Sequence, residues 1–133
     1  MNSSSSPPIP QALAEAARRA LDTHAAPITG LQLALLATPD GFEIACLRNR
    51  SELQAGRLSA MASSLMAMAR AVGREIQTPQ CKRLTFEAEG STVVFQSIDA
   101  PVPCILCLVL GPDALLGRAL WAAGEVMQDM SKA

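Results

Sequence analysis

From Ala55 to Gln77 the chain carries a helix-patterned segment whose apolar side chains spread too widely for a helix that only roofs a sheet. At about 100° per residue, Leu58, Met61, Ala62, Leu65, Met66, Met68, Ala69, Val72 and Ile76 fan over nearly half of its circumference. Ala60, Ala67 and Ala71 soften the remainder. Such an arc, rich in adaptable methionine, predicts a helix that packs on its own sheet with one flank and meets a second protein surface with another.

The elements around it follow from local pattern. Leu13, Ala17, Ala20 and Leu21 recur at helical spacing between Pro10 and about His24, with Pro10 suited to the first turn. Leu31, Leu33 and Leu35 alternate with Gln32, Ala34 and Leu36, a strand apolar on both faces and so central in a sheet. Thr38-Pro39-Asp40-Gly41 is a turn, and Phe42, Ile44 and Cys46 alternate with Glu43, Ala45 and Leu47 on the way back. Ser51 and Gln54 have the spacing of a capping box at the start of the long helix, and Thr78-Pro79 ends it. Leu84, Phe86 and Ala88 then pair through Glu89-Gly90 with a strand bearing Val93, Val94 and Phe95. Cys104–Leu110 is an uninterrupted apolar run of strand length, the second central strand. After Gly111-Pro112-Asp113 a last helix repeats Leu116, Leu120, Ala123, Met127 and Met130. Gly117 and Gly124 on its flank are expected to admit the first helix closely.

The order is αββαβββα, an α+β domain with a single five-stranded, mainly antiparallel sheet. Residues 1–9 read as a disordered Ser/Pro tail and 10–131 as one domain. With 50% hydrophobic but only 3% aromatic residues, the core is built from Leu, Ala, Val, Ile and Met. A formal charge of −1 with scattered basic residues argues against nucleic-acid binding. No export signal is apparent, and no apolar run nears the roughly 20 residues that span a bilayer. A cytoplasmic protein without direct membrane insertion is expected.

The chemistry-bearing residues are few. One histidine, no tyrosine, and cysteines lying largely in strand patterns leave little for nucleophilic or acid-base catalysis, so no catalytic residue, cofactor or metal is assigned and the chain is not read as an enzyme. Cys104 and Cys107 form a C-x-x-C pair, but positions three apart on a strand point to opposite faces, which favours core thiols over zinc or redox work. Cys46 and Cys81 are isolated. His24 sits where an imidazole interacts with the carbonyls ending the first helix. Trp121 projects about 140° from Leu116, among Arg118, Glu125 and Gln128, and is either capped by the first helix or the tail, the favoured reading, or exposed for a partner.

Three groups of residues together resemble the Roadblock/dynein light chain family. They are Gly30-Leu31-Gln32-Leu33-Ala34 leading to Asp40-Gly41-Phe42-Glu43-Ile44-Ala45, then Leu58-Ser59-Ala60-Met61-Ala62-Ser63-Ser64-Leu65, and Leu110-Gly111 before the last helix. The resemblance spans about Pro10 to Met130 and implies a profilin-like layout, with the long helix on one sheet face and both terminal helices on the other. It also implies a homodimer, or a heterodimer with a paralogous subunit, made by edge strands and paired long helices. On this sequence that carries the dimer contact to Met61, Leu65, Met68, Val72, Leu84 and Phe86. Lys82-Arg83 at the start of that strand are equally what an edge carries to remain unpaired.

Members of the family bind small Ras-like GTPases, so the resemblance implies a non-enzymatic dimeric regulator or scaffold of such a GTPase, with stimulation of GTP hydrolysis as one form that role can take. The chain has no G-x-x-x-x-G-K-[ST] phosphate loop of its own. Arg57, Arg70 and Arg74 are the candidates to face the GTPase, against the ordinary role of solvated helix arginines. The competing classes are a small-ligand sensor domain and a purely structural dimerisation module.

Overall fold

The computed structural model describes residues 9–78, 80–99 and 101–133 of the chain. The elements are α1 (Gln11–Ala20) continuing into a π-helical turn (Leu21–Ala25), β1 (Leu31–Ala37), β2 (Glu43–Arg48), α2 (Ala55–Glu75), β3 (Arg83–Ala88), β4 (Ser91–Ile98), β5 (Cys104–Leu110) and α3 (Leu116–Met130). The strands form one sheet in the order β2-β1-β5-β4-β3, with each neighbouring pair antiparallel. The two strands with continuous apolar runs, β1 and β5, lie side by side inside it, because only inner strands have both faces covered.

Alternation along the strands divides the interior into two layers. Leu33, Leu35, Phe95, Ile105, Cys107 and Val109 pack with Ala62 and Met66 of α2. Ala34, Leu36, Val94, Leu106 and Leu108 pack beneath α1, the π-helical turn and α3. The expected arrangement of helices on the two faces is thus the observed one. Most of the proposed Ser/Pro tail, residues 1–8, lies outside the described residues, whereas Ile9 packs against the core and belongs to the domain.

The β1–β2 turn shows why its residues are needed. The Gly41 N–H donates to the Thr38 carbonyl at 3.0 Å, the Thr38 N–H donates to the Phe42 carbonyl at 2.8 Å, and Gly41 stands at φ +98°, where a side chain is strained. A Cβ there would also come within 3.2 Å of the Ala60 Cα. The Ser63 hydroxyl donates to the Pro39 carbonyl at 2.6 Å, so the turn and α2 are locked together.

Three local expectations are corrected. Ser51 and Gln54 form no capping box: α2 begins at Ala55, and the Gln54 side chain caps nothing. The preceding segment is held elsewhere, since the Asn49 and Arg50 N–H groups donate to the Gln32 carbonyl at 2.9 and 3.2 Å. The α3 stripe is turned from the one expected, with Ala119, Ala122, Ala123, Val126 and Met130 buried and Leu116 and Met127 left at the margin. Because α1 and α3 share one sheet face, alanines on both (Ala17, Ala20, Ala119, Ala122 and Ala123) line the seam, and bulk goes outward. Gly117 and Gly124 therefore do not receive α1; a Cβ on either would meet nothing within 4 Å. At the other end of α2 the helix stops at Glu75, with Gln77 at φ +62° and the Thr78 N–H donating to the Gly73 carbonyl at 2.7 Å; Pro79 lies outside the described residues.

Candidate partner-binding surface

The broad apolar arc of α2 resolves into two stripes. Ser59, Ala62, Met66 and Gly73 are buried against the sheet, with Leu58 packed beside them. Met61, Leu65, Met68, Val72 and Ile76 recur at steps of four, three, four and four and are 54%, 39%, 66%, 55% and 65% exposed. Ser59 and Gly73 fall on the buried side of the helix, and most of the larger side chains stand on the flank. That division was not legible in the apolar pattern, where Met66 and Met68 look alike. Ile76 extends the exposed stripe beyond the four helix positions expected for the contact.

The sheet contributes to the same side. Cys46, Leu35, Cys107, Phe95 and Leu84 stand opposite one another in a row crossing all five strands, and Phe86, Val93, Val109 and Leu33 form the adjacent row. Since Phe95, Val109 and Leu33 pack toward α2, Leu84 and Phe86 face that side too. Leu84 is half-buried and Phe86 is 54% exposed. The expected contact residues Met61, Leu65, Met68, Val72, Leu84 and Phe86 thus share one face of the molecule.

The two sheet edges differ. On β2, Arg18 of α1 donates from Nη1 to the Cys46 carbonyl at 2.9 Å, and α1 packs alongside. On β3 no strand lies beyond Leu84 and Phe86 among the described residues. Arg83 does not guard that edge, because its Nε donates to Oε1 of the buried Gln96 on β4 at 2.9 Å.

Arg57, Arg70 and Arg74 are all exposed, and none has an ion-pair partner among the described residues. They do not form one patch. At about 100° per residue, Arg57 borders the exposed stripe, while Arg70 and Arg74 lie on the opposite flank of α2.

The remaining reactive groups fall elsewhere. Cys104 packs under α1 and α3 and Cys107 under α2, so the C-x-x-C pair is divided between the two layers. Burial pushes their thiols up to about 11 and about 12. Burial, followed by the Glu43 charge, also raises the Cys46 thiol. In the folded protein a thiol reagent is expected to label Cys81 and Cys46 but reach Cys104 and Cys107 only after denaturation; rapid labelling of all four disproves this placement. The same shifts fix a sign. Thiols that lose protons near 9.0 when unfolded keep them when folded, so stability present below that pH is lost as pH rises toward 11 and 12. His24 does not serve the helix carbonyls as expected; its Nε2 pairs with Oδ2 of Asp129 on α3 at 2.8 Å, tying the π-helical turn to the last helix. No helix among the described residues is long and apolar enough to cross a membrane.

This layered architecture is one that known proteins share. The sequence profile of the Roadblock/LC7 domain matches residues 16–99. The chain belongs to the Roadblock/LC7 family. Solved Roadblock/LC7-like folds superpose over nearly the whole chain. The gliding protein MglB from Thermus thermophilus is 17% identical with a TM-score of 0.81, covering 98% of this chain and 96% of that one. An MglB solved in a tetrameric arrangement is 18% identical with the same TM-score of 0.81 and the same coverage, 98% and 96%. Myxococcus xanthus MglB is 10% identical with a TM-score of 0.74, covering 90% and 85%. At these identities the likeness establishes the Roadblock/LC7 fold. No curated protein matches the sequence significantly.

Proposed function

We propose that the chain is a non-enzymatic regulator or scaffold that works as a dimer, with itself or with a paralogous subunit, and binds a small Ras-like GTPase. The observation that carries this reading is the row of five exposed apolar side chains on α2, on the same side as Phe86 of the open edge strand β3, in a domain of the Roadblock/LC7 family. Pairing two α2 stripes removes that surface from water, and joining two β3 edges satisfies their free backbone groups. The tetrameric arrangement of one similar MglB supports self-association. Arg57, Arg70 and Arg74 are the side chains through which a GTPase contact on α2 would be sensitive to charge.

Affinity capture on the immobilised chain from native lysate, loaded in parallel with GDP and with a non-hydrolysable GTP analogue, tests the reading. Recovery of a small GTPase preferentially in one nucleotide state is the expected result. Capture of no GTPase in either state overturns it.

A further inference from the structure

Trp121, the sole tryptophan, is 68% exposed near the middle of α3, on the side of the helix away from its buried alanines. α1 does not cap it as expected from the sequence. Gly117 and Gly124 flank it one turn back and one turn on, with open space where a Cβ would stand. Arg118 and Glu125 occupy its other flank, and neither has an ion-pair partner among the described residues. A large ring standing between two bare shoulders, beside two unpaired opposite charges, is an unusual surface to leave facing water.

We propose that this face binds a second copy of the chain, α3 against α3, antiparallel about a two-fold axis that passes beside Trp121. The charges select that geometry. Residues 118 and 125 are equally spaced about the point between 121 and 122, so an antiparallel pair sets Arg118 of each copy against Glu125 of the other, on the same flank. A parallel pair about a two-fold axis exchanges the flanks, setting each charge across from the partner's glycines with no opposite charge to meet. The two indoles then meet at the axis, and the glycine shoulders give each ring room to lie flat against the facing helix.

A helix pair of this length buries less than the roughly 800 Å² per partner of a standard interface, so the association is weak and depends on concentration. It lies on the sheet face opposite α2 and does not rest on the GTPase reading. Where both contacts form, each subunit has two different isologous interfaces, and assembly proceeds past the dimer to a closed tetramer or an open filament.

Sedimentation and tryptophan fluorescence of the full chain over a concentration series test the contact, since the single indole reports on it directly. Rising concentration is expected to increase mass, shift emission to shorter wavelength and reduce quenching by iodide. Trp121→Ser should weaken this association by about thirtyfold. Arg118→Glu or Glu125→Arg alone should weaken it, and the double swap should restore it, all without loss of fold because these side chains stand outside the core. Quenching that does not change with concentration overturns the proposal. So does indole protection that persists at high dilution, which assigns the cover to the chain itself, or a double swap that fails to rescue. Met68→Glu distinguishes the two interfaces: it removes only the α2 contact, and the concentration-dependent fluorescence change should survive in it.

Discussion

Met68→Glu is expected to convert the dimer proposed through α2 into monomers with the fold retained. Met68 is 66% exposed in the isolated subunit, near the middle of the outward stripe between Leu65 and Val72. In a lone subunit a carboxylate there faces solvent and costs the fold little. In the proposed pair it enters the contact between two apolar stripes, and an uncompensated buried charge costs about 3–5 kcal/mol. That weakens pairing by roughly a hundredfold or more. Light scattering should report the mass of one chain in dilute solution, and far-ultraviolet circular dichroism should keep its helical amplitude. An unchanged dimer mass would remove this stripe from the contact.

Two residues earlier, the same type of side chain has the opposite role. Met66 is fully buried between α2 and the sheet, among Leu33, Leu35, Phe95 and Cys107. Met66→Ala leaves a cavity in that layer and is expected to cost about 2–5 kcal/mol of folding stability. Chemical denaturation should show a lower midpoint with little change in slope, while the exposed stripe and its partner contacts persist. If Met66→Ala dissociates the protein without lowering its stability and Met68→Glu does the reverse, then α2 sits rotated from the placement described above.

These neighbouring methionines show where the sequence was readable and where it was not. The strand pattern was legible because alternation is a local property: the continuous runs at Leu31–Ala37 and Cys104–Leu110 became the inner strands, and the two turns became antiparallel pairs. The broad apolar arc of α2 was legible as an excess of hydrophobic surface. Its division was not, because helix rotation is fixed by packing against the sheet, and small residues such as Ser59 and Gly73 fall on the buried side without standing out in an apolar pattern. The same reason displaced the α3 stripe toward Ala119, Ala122 and Ala123. The proposed capping box failed for a non-local reason, since residues 49 and 50 are held by Gln32 on another strand. The arginines were legible as exposed, but their separation around α2 depended on the same rotation.

The unlike borders of the sheet limit how such chains can accumulate. Arg18 occupies a backbone acceptor on β2 and α1 packs alongside it, whereas beyond β3 no strand lies among the described residues, although the Cys81 thiol donates to the Arg83 carbonyl at 3.3 Å. Two molecules that join through β3 turn their occupied rims outward, and extension along the ribbon halts at ten strands, about twice the five in each subunit. The first helix, through Arg18 and its packing along β2, thus covers one rim against the cross-β growth to which a chain with apolar strands and one uncovered margin is exposed.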